Sequence, residues 1–234
     1  MTLDLSRIAL GAFDMDGTLY EYIEGFTGAL RSAQAAELVK ISQGKVTHEA
    51  AIAQCTHLYQ TQGSIWNGLS SLYGTTVAHI HKLFHEAAPV TFVEPTSGLR
   101  DSFIAAAQTG FVSAVITHSD MNYTARVLAK LDISDQFDPR HIITLEQVDF
   151  REKDKDDAMF MEVNRRTGIP AAQTIVAEDT IRNMVRAKDM GKATAYIHWG
   201  RPLDVLPSHV DCQFPTPAAL LRAVADARKA CKPR

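Results

Sequence analysis

A short apolar run at residues 8–13 stops abruptly at Asp14-Met15-Asp16-Gly17, the pattern of a buried strand ended by a turn. From about residue 20 to 88 the rhythm becomes helical. Ala29, Ala33, Ala36 and Val39 recur at helical spacing, as do Ala50, Ala53, Cys55 and Leu58, and then Val77, Ile80 and Phe84. Gly44, Gly63 and Gly74 punctuate these stretches. Beyond Pro95, helical and strand patterns alternate. Helices are expected at 98–108, 122–131, 157–166 and 181–190, each leading to a strand at 111–117, 141–145, 174–177 and 193–198, with a last helix from Pro217 to about Lys229. Such alternation predicts an α/β protein with a doubly wound parallel sheet covered by helices on both faces. The expected organisation is an α/β core of residues 1–19 and 95–234, interrupted by a helical domain at 20–94.

Composition adds little to that frame but excludes several functions. The 234 residues are 46% hydrophobic and 22% charged with a net charge of −3, an ordinary globular profile that offers nothing to hold a nucleic acid polymer or an anionic membrane. Cys55, Cys212 and Cys231 lie far apart without CxxC spacing, which argues against a zinc site or a disulfide framework and fits a reducing compartment. The N-terminus carries Asp4 and too short an apolar run for a signal peptide. The expectation is a cytoplasmic protein, a monomer or homodimer.

The chemistry concentrates where strands end. In open parallel sheets, ligands bind beyond the carboxyl ends of the strands. Those ends carry Asp14 and Asp16 after the first strand, Thr117 at the end of SAVIT, and Glu178-Asp179 after TIVA, while Lys153 and Lys155 precede a helix. Two carboxylates as close as Asp14 and Asp16 raise each other's pKa unless a cation lies between them.

In this order the residues resemble the haloacid dehalogenase (HAD) superfamily. Its DxDGT motif stands here as Asp14-Met15-Asp16-Gly17-Thr18. Its strand-ending Ser or Thr is matched by Thr117, its lysine by Lys153 or Lys155 (Lys153 favoured), and its acidic pair by Glu178-Asp179. The resemblance covers about residues 7–18 and 95–200, and the insertion after the first motif looks like a helical C1-type cap. It implies a Mg²⁺-dependent phosphomonoesterase that forms an aspartyl-phosphate. Asp14 would be the nucleophile and Asp16 the general acid and base. The metal ligands would be Asp14, the Asp16 main-chain carbonyl and Asp179, with Glu178 close by. Thr117, the His118 backbone, Lys153 and Lys155 would lie against the phosphoryl group.

Within the superfamily, Asp16 separates reaction classes, because dehalogenation has no alkoxide to protonate. A phosphonatase would need a buried cap lysine, for which Lys40, Lys45 and Lys82 are available without any flanking pattern to single one out. A phosphomutase shares the core plan, and a non-catalytic phosphate-binding module would be expected to lose an acid that is present here. The stretch at 178–191, with Arg182-Asn183, and the Tyr20 ending of DGTLY look like pyrimidine 5′-nucleotidase-type members, which points to nucleoside 5′-monophosphates. His81 and His85 share one helix face at i, i+4; a polar face is the expected explanation, with no third ligand in sight. Trp66 and Asn67, in GSIWNGL, stand between helices of the inserted domain, where such a Trp is expected in the core and a place facing the cleft is the alternative.

Overall fold

The computed structural model of the chain describes residues 3–231. Strands form at each of the expected places: β1 (Leu10–Phe13), β2 (Val112–Thr117), β3 (Ile142–Thr144), β4 (Thr174–Glu178) and β5 (Ala193–Ile197). A further strand, β6 (Cys212–Phe214), extends the sheet at its edge; it is three half-buried residues, too short to show a period in the sequence. The order is β3-β2-β1-β4-β5-β6 and every pairing is parallel. β1, β3 and β4 are buried at every position, as expected of strands covered on both faces.

The α/β unit comprises residues 3–21, 94–118 and 128–231. Its helices α5 (Leu99–Ala107), α7 (Ala158–Thr167), α8 (Met184–Asp189) and α9 (Pro217–Ala230) follow the expected alternation. The helix expected at 181–190 is divided into a 3-10 turn, Ile181–Asn183, and α8, with the Asn183 side chain bonded back to Glu178 at 2.6 Å. An edge-to-face contact of Phe103 with Phe13 (5.3 Å between centroids) fastens α5 to the sheet, and a second with Phe137 (5.1 Å) ties it to the connection before β3. The chain leaves β1 for β2 and β3 on one side, then returns to β4 on the other. The boundary between β1 and β4 is therefore the point where strand order reverses, and ligand sites of this architecture open beyond the strand ends there.

The second unit holds residues 22–93 together with 119–127. It contains α1 (Phe26–Ile41), α2 (His48–Gln62), α3 (Trp66–Tyr73) and α4 (Val77–Ala87), and takes in most of α6 (Met121–Lys130). Its core is Ala35, Leu38, Ala51, Cys55, Leu58, Leu69, Ile80 and Phe84, with Trp66 packed against it. The buried stripe of α2 therefore runs through Ala51, while Ala50 and Ala53 lie exposed. One methyl group carries little burial free energy, so an alanine-rich helix does not fix its own buried face. Cys55 and Leu58 do. His81 also departs from expectation: it is buried, not on a polar face, and packs edge-on against Trp66 (4.8 Å between centroids) and at a tilt against His85 (4.2 Å). Burial, with His81 beside it, pushes His85 down to about 3, so the ring stays neutral. No helix among the described residues is long and apolar enough to cross a membrane.

Candidate active site

The register of the sheet assembles the acids. Phe13 lies level with Val115 on one side and Ala177 on the other, so Asp14, whose N–H still donates to the Ala177 carbonyl at 2.9 Å, comes level with Ile116 and Glu178. Across that level reaches one side chain from the loop before α7. The Lys153 ammonium donates to Asp14 Oδ1 at 2.5 Å, to Glu178 Oε1 at 2.8 Å and to the Ile116 carbonyl at 3.3 Å. Lys153 is 1% exposed. A lysine buried alone would lose its proton, but the two carboxylates outweigh that burial and hold its pKa above the usual lysine value.

The four acids differ in their surroundings. Burial, with Glu178 nearby, raises Asp14 to about 7 even against the pull of Lys153. Asp179 is pushed up to about 9 by burial and by Glu178 and Asp14. For Glu178 the same burial is outweighed by Lys153 and by further hydrogen bonds, and its pKa falls below the usual carboxylate range. Its oxygens accept from Lys153, from Asn183 Nδ2 and, at 2.8 Å, from the Thr180 N–H. Asp16 accepts the Tyr20 hydroxyl at 2.5 Å.

The turn that aims Asp14 and Asp16 depends on Gly17. Its φ is +85°, and a Cβ there would stand 2.4 Å from Asp179 Oδ2. Only glycine gives both the left-handed turn and the room for Asp179 to approach. Thr18 Oγ1 donates to Asp179 at 3.3 Å, and the Trp199 indole N–H donates to the Gly17 carbonyl at 2.6 Å. Trp199 does so from a left-handed backbone (φ 46°), strain that a bulky residue tolerates only where the surroundings impose it.

Of the residues singled out from sequence, Asp14, Lys153, Glu178 and Asp179 thus converge. Thr117 ends β2 fully buried, and His118 Nε2 accepts the Lys153 backbone N–H at 2.9 Å. Lys155 points elsewhere: its side chain is 48% exposed and pairs with Glu152 at 2.7 Å. Lys40, Lys45 and Lys82 are all exposed, whereas Schiff-base chemistry calls for a buried lysine. Tyr20, Trp199 and Asn183 support the site in ways the sequence did not reveal. Tyr20 and Asn183 stood out only as marks of a family subtype and Trp199 not at all; their partners are set by tertiary approach.

Ligand oxygens of Asp14, Glu178 and Asp179 all lie within 4.8 Å of one another. Carboxylates that burial pushes toward protonation, arranged as hard oxygen donors, fit a divalent cation such as Mg²⁺, which would let them ionise together.

Residues 12–197 match the family described as haloacid dehalogenase-like hydrolase. Among solved structures, the HAD phosphatase from Thermococcus onnurineus is similar at a TM-score of 0.64 and 18% identity, over 93% of this chain and 97% of that one. CbbY from Rhodobacter sphaeroides in complex with phosphate has a TM-score of 0.63 and 18% identity, over 94% and 99%. L-2-haloacid dehalogenase from Xanthobacter autotrophicus has 0.56 and 15%, over 93% and 98%. At such identities these likenesses speak for the fold alone. No curated protein matches the chain in sequence. With the match spanning β1 to the end of β5 and the acids, the turn glycine and the lysine assembled at the strand ends, the chain belongs to the haloacid dehalogenase-like hydrolase family.

Proposed function

We propose that the protein is a Mg²⁺-dependent phosphomonoester hydrolase of small phosphorylated metabolites, with the helical unit as its cap. The observation that carries this reading is the second acid. Asp16 follows Asp14 by two residues and is held by the Tyr20 hydroxyl at 2.5 Å, a placed carboxylate for which dehalogenation has no use. In this reading Asp14 attacks phosphorus and the ester oxygen departs, leaving an aspartyl-phosphate. Asp16 gives its proton to the departing alkoxide, then takes one from the water that hydrolyses the intermediate. Thr117 and the His118 backbone N–H bind phosphoryl oxygens, and Lys153 neutralises the charge that develops in transfer.

Bound Mg²⁺ would supply Lewis-acid stabilisation of the phosphoryl oxygens. Asp14, the Asp16 carbonyl and Asp179 would hold it. Glu178, its oxygens already accepting three donors, would act through water. Nucleoside 5′-monophosphates are the substrate class favoured by the 178–191 stretch, and a cytoplasmic location is in keeping with such substrates.

The test is a panel of nucleoside monophosphates, sugar phosphates and phosphoglycolate with Mg²⁺, run beside chloride release from 2-chloropropionate. Phosphate release that disappears in Asp14→Asn is expected. Chloride release, or inertness toward every phosphate ester, overturns the reading.

A further inference from the structure

We infer that the His118 side chain is a positioning residue that fixes Lys153 through its backbone. Lys153 lies in a loop, 151–157, that is neither helix nor strand, so no regular ladder takes up its N–H. The residue is 1% exposed, so bulk water does not take it up either. A buried N–H without an acceptor costs roughly 1–3 kcal/mol. His118 Nε2 is that acceptor, at 2.9 Å. A ring nitrogen accepts only when it carries no proton, so the imidazole is neutral with its hydrogen on Nδ1.

The consequence for the site is geometric. Lys153 is held twice by the end of β2: its N–H by His118, and its ammonium by the carbonyl of Ile116 at 3.3 Å. Between these two points the side chain is stretched across to Asp14 and Glu178. No proline follows Lys153 to stiffen its backbone, since Asp154 stands there. Strand β2 therefore sets where the ammonium sits, and the ring of His118 transmits that position to a turn whose own backbone bonds, from Lys155 and Asp156 N–H to the Glu152 carbonyl, leave the Lys153 N–H to His118. The link to turnover rests on the phosphatase reading; the contact itself does not.

Two substitutions separate the side chain's role from that of its backbone. In His118→Gln the terminal amide oxygen reaches the place of Nε2 and accepts the same N–H, whereas His118→Leu keeps bulk and removes the acceptor. Hydrogen exchange at the Lys153 amide should quicken at least about tenfold in the leucine variant and stay near the wild-type rate in the glutamine variant. Turnover of p-nitrophenyl phosphate with Mg²⁺ should fall about tenfold or more in kcat for leucine, with KM little changed, and stay within about threefold for glutamine. Nitrogen-15 spectra of the histidine-labelled wild-type protein should show His118 protonated on Nδ1 and bare on Nε2, which decides the contact even if the leucine variant does not fold. A proton on Nε2, or equal protection of the Lys153 amide in the leucine variant, overturns the inference. If the wild-type protein hydrolyses no phosphate ester, exchange and spectra still judge the contact, and the phosphatase reading fails alone. If it does hydrolyse them and leucine at 118 leaves kcat intact, the positioning role fails and the phosphatase reading stands.

Discussion

Lys153→Met removes the cation from the centre of the site while keeping most of the side chain's volume. Asp14 and Glu178 would then face each other in the interior without the ammonium that now lies 2.5 Å from one and 2.8 Å from the other. Removing one partner of a buried ion pair typically costs about 3–5 kcal/mol, because the remaining charge is left uncompensated. A domain of this kind has roughly 5–15 kcal/mol in total, so the urea midpoint in EDTA at pH 7 should drop conspicuously. The sign with pH follows from the carboxylates. Without Lys153 both acids have raised pKa values in the folded protein, so they hold protons that the unfolded chain releases. With Asp14 raised to about 7 even beside Lys153, the destabilisation is large at neutral pH, still grows above it, and shrinks as pH falls toward the unfolded carboxylate range near 4. Lys155→Met is the control: its partner Glu152 is buried but the lysine is 48% exposed, and such pairs are worth at most about 1 kcal/mol. Adding Glu178→Gln to Lys153→Met should recover part of the loss, since the two sites are directly coupled. A Lys153→Met protein within about 1 kcal/mol of wild type at pH 7, or as weak at pH 4 as at pH 7, would refute the electrostatic account.

Other outcomes follow from the same geometry. Gly17→Ala should lose about 1–2 kcal/mol to its left-handed turn and, by displacing Asp179, weaken Mg²⁺ binding measured by titration calorimetry; unchanged affinity would show that Asp179 is not held there by contact. Asp16→Asn should cut turnover by about 10²–10⁴-fold on alkyl phosphates but by much less on p-nitrophenyl phosphate, whose leaving group needs no proton; equal losses on both would remove Asp16 from acid catalysis. Lys192 is buried beside Asn164, and burial lowers its pKa to about 8. The folded protein gives up that proton before the unfolded chain does, so wild-type stability should rise between about pH 8 and 10.5 relative to Lys192→Met, a difference that urea melts at several pH values would reveal.

The α/β class, the order of the elements after Pro95 apart from β6, and the polar residues at three strand ends with a lysine run before α7 were legible in the residues alone. These are legible because each is local: short apolar strands, helical spacing, and acids placed at or just past a strand end. The sequence also favoured Lys153 over Lys155 without the means to decide, since both sit in one charged run. Only the tertiary structure separates them, because burial depends on the side chain's path across β2, β1 and β4 and not on its neighbours in the chain. The alanines of α2 show the same limit: Cys55 and Leu58 fix the buried face, and that places Ala51 inside and leaves Ala50 and Ala53 exposed. The grips of His118 on the Lys153 backbone, Tyr20 on Asp16 and Trp199 on Gly17 span from 4 to 182 positions, and the longer two carry no periodic trace in the sequence. Hydrogen bonds between distant residues depend on the register of strands, which is settled only when the whole sheet forms.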